Sequence, residues 1–367
     1  MKKIGLLGFI AALCTSCLPI PFDLAVSQAA GTAAKMTRDN SGPISSNYFQ
    51  GESQRDFAFY PQVLASGGFD YSAGFVTALD NVSVNIQAVA NGSQNTNWNQ
   101  PIPNPDPHAP AYLGWPVKSG TSYLFGIVFD ALSPSSSGYA LFQATPPSVF
   151  TSTGSSLLSL VAPLGFVNSV IGASVSASPS ATFDLLHVLA VGATSYLEAA
   201  FQVQSTLPNV VDSSVPRPSV ALPFIPAGVK RVMYFYDDNT AADPSRVDNR
   251  SFACWYDASS SSWVSYAWWQ TPTGVGSTFS MRLPADHRLD ALLSTGQLLS
   301  TEDGVGRLYD RDGNLQATFP LGNLTYIAEE YVGGVPRCYF SQCLIYDHML
   351  HFNIYWIQTD QLGTLGK

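Results

Sequence analysis

The chain has 367 residues, only 12% of them charged, and a formal net charge of −9. An ordinary globular domain carries about 25% charged residues, so a composition this rich in Gly, Pro, Ser, Thr and aromatics suits an exported protein of strands and turns. The negative balance excludes a general attraction to phosphate backbones or anionic lipid, and nucleic acid is not an expected partner.

The chain opens on Lys2 and Lys3, followed by the apolar run Ile4 to Leu13, broken only by Gly5 and Gly8. At 10 residues the run is too short for a permanent span, which needs about 20. It reads as an export leader over 1–16. Loss of its two lysines takes the charge from −9 to −11. The ending Leu13-Cys14-Thr15-Ser16-Cys17 resembles a bacterial lipoprotein signal of the relaxed spirochaete (treponemal) type, with Cys14 where a Leu is usual. The resemblance implies that Cys17 is acylated, as by palmitate, and anchors the protein in the bilayer of the cell envelope. The outer membrane is favoured because Leu18, not Asp, follows Cys17. An ordinary cleaved signal peptide is the alternative.

Residues 17–56 are rich in Ala, Ser, Gly, Thr and Pro without an apolar period, which predicts a flexible tether. Asn91 to Pro116 is crowded with Asn and Pro and predicts a long surface loop. The run Ser155 to Val175 is uncharged but diluted by Pro163, Gly165, Asn168 and Gly172, which favours buried strands or a short helix over a membrane span. Short pieces rich in Val, Ile, Tyr, Phe and Trp recur between turn residues: Ser122 to Asp130, Gly138 to Ala144, Phe183 to Val191, Tyr196 to Gln204, Lys230 to Tyr236, Ser251 to Tyr256 and Trp263 to Gln270. These predict strands. Alternation of Leu315, Ala317, Phe319 and Leu321, and of Leu350, Phe352, Ile354 and Trp356, predicts two more, each with one buried face.

A Tyr-Asp step recurs at Tyr236-Asp237, Tyr256-Asp257, Tyr309-Asp310 and Tyr346-Asp347, with looser Phe-Asp cousins at Phe69-Asp70, Phe129-Asp130 and Phe183-Asp184. From Phe129 onward, successive spacings are 54, 53, 20, 53 and 37 residues. Apart from the short one, they bracket the roughly 40 to 50 residues of a four-stranded blade. Residues 57–358 therefore resemble a degenerate β-propeller of five to seven blades, with tandem β-sandwich domains as the rival, and 359–367 a C-terminal tail.

Within LYDRDGNLQATF, Asp310, Asp312 and Asn314 have the alternate spacing of a calcium loop, but the closing Glu of an EF-hand is missing, and Asp-Gly-Asn is also what a tight turn requires. Asp237-Asp238-Asn239 with Asp243 and Asp248 is a second such acidic loop. His348 and His351 are three apart, which in a strand places them on opposite faces, so they do not form a metal pair. Cys338 and Cys343 form a disulfide if the intervening residues turn; in one continuous strand they face opposite sides. Cys254 is left as a small buried residue. Trp255, Trp263, Trp268 and Trp269 are either core or an aromatic binding surface for sugar or peptide. The adjacent acids Glu302-Asp303 and Glu329-Glu330 point apart in a strand, and no nucleophile elbow, phosphate loop, zinc-protease or dinucleotide motif is present.

These observations predict a membrane-anchored envelope lipoprotein that uses no cofactor and is not an enzyme. Its function is then non-covalent binding of an envelope or host protein. The alternative is an envelope hydrolase acting on glycan or peptide, with carboxylates supplied by different blades. Two inward carboxylates, one with a raised pKa, would mark the hydrolase.

Overall fold

A computed structural model describes most of the chain from residue 31 onward. Residues 1–30, 40–43, 48–55, 65–68, 95–99, 104–111, 114–117, 120–123, 131–137, 177–183, 204–219, 238–248 and 271–277, with some shorter connections, lie outside the described residues. Only the backbone is described for the strands between 77 and 156. Cys17, the acidic loop 238–248, His108 and His348 all fall outside.

The described chain is an all-β, propeller-like body of six blade units. Blade I pairs Asp56–Leu64, Phe69–Leu79 and Ser83–Ala90, with Gln100–Pro103 outermost. Blade II runs Tyr112–Leu113, Leu124–Asp130, Gly138–Thr145 and Ser148–Ser156. Blade III holds Val167–Ser176, Asp184–Gly192 and Tyr196–Val203. Blade IV holds Val232–Asp237, Arg250–Asp257, Ser262–Gln270 and Thr278–Leu283. Blade V is the small meander Ala291–Leu292, Leu298–Ser300, Val305–Tyr309 and Leu315–Pro320. Blade VI holds Leu324–Val332, Val335–Tyr346 and Met349–Gln358. Within each blade, neighbouring strands are mostly consecutive and antiparallel, which separates this arrangement from the Greek-key pairing of a sandwich.

Blades III and IV share one seven-stranded sheet because their first strands meet in parallel at Gly172↔Val232 and Ala173↔Met233. The approach depends on Gly172, where a Cβ would lie 2.6 Å from the Tyr234 Cβ and 2.8 Å from a Val232 methyl. Elsewhere blades meet through side chains. Phe235, Phe252 and Cys254 of blade IV pack with Leu298 and Tyr309 of blade V and Leu186 and Phe201 of blade III. Phe319 of blade V packs with Phe340 and Ile357 of blade VI. Phe57, Phe59 and Val76 of blade I pack with Tyr339, Phe352 and Ile354 of blade VI. Each such fully buried side chain stabilises the fold by about 1.5–3 kcal/mol.

The aromatic-Asp steps at Phe129, Tyr236, Tyr256, Tyr309 and Tyr346 end strands, as the turn chemistry of Asp predicts, whereas Asp184 begins one. Asp310 accepts from the backbone N–H of Asp312 (2.9 Å) and Asn314 (2.9 Å) and from the side-chain amides of Asn314 and Gln316. Asp257 accepts from Ser259 and Ser260 in the same way. Asp347 turns the chain at φ 52.

Three segments differ from their sequence reading, and a fourth, the uncharged run 155–175, agrees with it. The tether contributes Thr37–Arg38 and Ile44–Asn47 to the edge of blade VI, pairing with Met349–Gln358, because that open edge supplies the backbone partners that the segment's own composition cannot. The 91–116 loop contains Gln100–Pro103, whose prolines are tolerated on an outermost strand. The C-terminal tail is a 3-10 turn, Thr359–Thr364, with Leu362 and Leu365 buried against blades V and VI. The uncharged run 155–175 ends blade II, passes through the 3-10 turn Ala162–Leu164 and enters the strand Val167–Ser176. Among the described residues no helix is long and apolar enough to cross a membrane.

If the parallel junction sets the spacing of blades III and IV, Gly172→Ala should destabilise the fold by about 1–3 kcal/mol, the usual cost of overpacking. Urea denaturation with an unchanged m-value is the check. A variant as stable as wild type would show that the junction does not need the close approach.

Candidate active site

Among the described residues a polar constellation lies where blades I, V and VI meet. The segment entering blade V carries Arg288 and Asp290, and the Arg288 Nε donates to Asp290 Oδ1 at 2.6 Å. The other oxygen, Oδ2, accepts from the Thr301 N–H (2.6 Å) and the Thr301 hydroxyl (2.8 Å). Glu302 accepts from the Arg288 N–H and from Trp263 Nε1 of blade IV. Burial works against the charge of Arg288, but Asp290 and Glu302 outweigh it and raise its pKa. The half-buried Tyr60 of blade I lies in the same field. Burial pushes its hydroxyl up to about 12, with Asp290 adding to the shift and Arg288 opposing it.

On blade VI, Glu329 is in the opposite condition. Its Oε1 accepts from the Thr359 hydroxyl (2.6 Å) and the Ser294 hydroxyl (2.8 Å), and its Oε2 from the Ser294 N–H (2.7 Å). Burial raises its pKa despite these bonds, and none of the donors is a cation. Tyr326, two strand positions before Ala328, is pushed well above its ordinary value by burial and then by the negative charge of Cys338, Glu329, Glu330 and Asp290. One phenol therefore feels both carboxyls. Asp290 is ion-paired with Arg288, whereas Glu329 accepts from the neutral donors Ser294 and Thr359.

Glu329 is one of the adjacent acids noted in the sequence, and its neighbour Glu330 pairs in register with Arg337 while Glu329 pairs with Cys338. Its counterpart is not adjacent but comes from the next blade. Asp290, Arg288, Ser294 and Thr359 sit in no motif, and nothing local in the sequence marks them.

Other expected sites are corrected. Cys338 and Cys343 are both free, because Val335–Tyr346 is one continuous strand and the two side chains join different cores. Burial pushes the Cys343 thiol up to about 12. The calcium reading of Asp310, Asp312 and Asn314 is replaced by a turn, since Asp310 is occupied within it and Asp312 is bound by Arg250 at 2.6 Å. Among the described residues no group of three or more His, Cys, Asp and Glu converges as a metal site would need. Trp255, Trp263 and Trp268 are buried core residues, so the four tryptophans do not form one surface; Trp269 alone is part-exposed.

No family model matches this chain, and no curated protein matches it. Solved structures similar to it include an endo-arabinase from Bacteroides thetaiotaomicron (TM-score 0.30, 10% identity, covering 85% of this chain and 97% of that one). A second is the polysaccharide lyase Uly1 (TM-score 0.31, 11% identity, 66% and 58%). A third is a complex of fission yeast SREBP–SCAP binding domains (TM-score 0.27, 10% identity, 82% and 75%). The fold assignment rests on the strand pairing above. The expectation that the chain is not an enzyme is withdrawn; an endo-arabinase and a polysaccharide lyase are among the similar structures.

The raised carboxyl has a measurable consequence. In the folded chain Glu329 keeps its proton above the ordinary carboxyl value, so its contribution is fully present in acid and is lost as pH rises through the folded-state pKa. Glu329→Gln cannot ionise. It should match wild type in urea midpoint near about pH 4 and become progressively more stable than wild type toward neutrality. A stability difference independent of pH would remove the raised carboxyl.

Proposed function

We propose that this chain is an exported lipoprotein, anchored through Cys17, whose propeller hydrolyses glycosidic bonds at the junction of blades I, V and VI. Glu329 is the general acid that protonates the leaving oxygen, and Asp290 is the ionised carboxylate that activates water or attacks the sugar carbon. The observation that carries this reading is the contrast between Glu329, raised by burial among neutral donors, and Asp290, paired with Arg288. Glycoside hydrolysis needs such a pair, one group holding a proton and one without. Tyr326 and Tyr60 are half-buried tyrosines at the same junction, each packed against an apolar core.

Release of reducing ends from a panel of plant, bacterial and host polysaccharides tests the chemistry. Glu329→Gln and Asp290→Asn should each lower kcat by about 10²-fold or more, the usual worth of a positioned acid or base. Full activity in both variants, or no release from any glycan, defeats the proposal. The anchor is tested separately by fatty-acid labelling in cells, where label should depend on Cys17.

A further inference from the structure

We propose that the proton of Glu329 sits on Oε2, and that Thr359, carried in by the C-terminal turn, is the positioning residue that puts it there. Its catalytic meaning rests on the hydrolytic reading, in which Glu329 protonates the leaving oxygen. Thr359 is the buried first residue of the 3-10 turn Thr359–Thr364, and Leu362 and Leu365 pin that turn in the core shared by blades V and VI. Its hydroxyl has a single hydrogen and two neighbours, Glu329 Oε1 at 2.6 Å and Cys338 Sγ at 3.5 Å. Burial pushes the Cys338 thiol well above its ordinary value, so the thiol keeps its hydrogen and meets Thr359 as a donor. The hydrogen of Thr359 is thereby directed at Glu329.

The donors around the carboxyl are unevenly divided. Oε1 accepts two hydroxyls, from Thr359 and from Ser294 at 2.8 Å, which fill the two lone pairs of a carbonyl oxygen. Among the described residues Oε2 accepts only the Ser294 N–H, at 2.7 Å. A protonated carboxyl has one carbonyl oxygen and one hydroxyl oxygen, and this set of donors fits Oε1 as the first and Oε2 as the second. When the Oε2–H bond breaks and the proton passes to a leaving oxygen, the bonding pair stays on the carboxyl and meets donors already in place. The other titratable or charged groups around the junction are Tyr326, Cys338 and Glu330 on blade VI, Arg288 and Asp290 entering blade V, and Asp360 on the C-terminal turn. None of them is among the hydrogen-bond partners of Glu329. Tyr326, like Cys338, is pushed well above its ordinary value by burial, so neither titrates with Glu329.

The test is an NMR titration of the full chain with isotope-labelled glutamate carboxyls. The chain has five glutamates, and Glu329→Gln assigns the signal. Thr359→Val should move the Glu329 titration to higher pH by about one pH unit, because it removes a donor that favours the ionised form. Ser294→Ala should move it the same way, and Thr359→Ser, which keeps the hydroxyl, should restore the wild-type curve. Movement to lower pH in Thr359→Val overturns the placement, since the proton would then lie on Oε1 and be donated to Thr359; an unchanged curve overturns it too. In hydrolysis the basic limb of kcat/KM should follow the same shift. If the NMR shift appears but wild type cleaves no glycan, the hydrolytic reading fails and the placement stands. Cleavage by wild type without the NMR shift removes the placement and leaves the hydrolytic reading intact.

Discussion

The structure depends on closing the ring, and the closure is made by the last blade. Met349–Gln358 is the edge to which residues from the other end of the chain add, at Thr37↔Trp356 and Ile44↔Phe352. Lys35 Nζ bonds the Lys367 carbonyl at 3.1 Å, and the Thr32 hydroxyl bonds the Pro320 carbonyl at 2.7 Å, so the first described residues are tied to blade V and to the end of the chain. Blade I then seats on blade VI, with the Phe59 and Phe352 rings 5.8 Å apart and the Phe59 N–H on the Ser341 hydroxyl. Every one of these contacts spans nearly the whole chain. Their entropy cost is recovered only when all the blades are in place. The junction holding Tyr60, Asp290 and Tyr326 exists only in the closed form, because it draws on both ends of the sequence.

With so few charges, their placement is informative. Arg250–Asp312 and Arg311–Asp237 cross between blades IV and V in opposite directions, and Arg288–Asp290 stands at the entry to blade V. A partly buried ion pair adds little net stability, because desolvation offsets much of the attraction. Its effect is on arrangement: a blade rotated or slipped by one strand would leave a buried charge unpaired, which costs several kcal/mol. Apolar seams alone tolerate many packings. In this reading the charges select one of them.

The sequence showed the strands well where one face is buried, since period-two alternation at Leu350, Phe352, Ile354 and Trp356 is a direct imprint of a core on one side. The aromatic-Asp steps marked strand ends but not blade length, since Tyr236, Tyr256, Tyr309 and Tyr346 end the first, second, third and second strands of their blades, and the spacing of 20 residues between Tyr236 and Tyr256 arises because both lie in blade IV. Hidden from it were the elements whose partners are remote. Thr37–Arg38 and Ile44–Asn47 have no apolar pattern and are strands only because an edge awaits them. Cys338 and Cys343 invited a bridge on proximity alone, and only the length of Val335–Tyr346 decides against it. Asp290 and Glu329 were illegible as a pair for the same reason: one belongs to blade V and the other to blade VI.

The repeated aromatic-Asp step shows how far local chemistry reaches. At Asp310 it is sufficient: burial would raise the carboxyl, but bonds from Asn314, Asp312 and Gln316 outweigh it and hold it below its ordinary value. At Asp257 the bonds from Ser259 and Ser260 alone do the same. At Asp237 the same dipeptide ends a strand but is 4% exposed and meets Arg311 of the next blade. Identical local sequence thus gives a self-contained turn where the strand end faces water and an inter-blade tie where it faces another blade. The side chain's role is fixed by what the ring brings opposite it, which is why a motif in a repeat fold specifies geometry before it specifies chemistry.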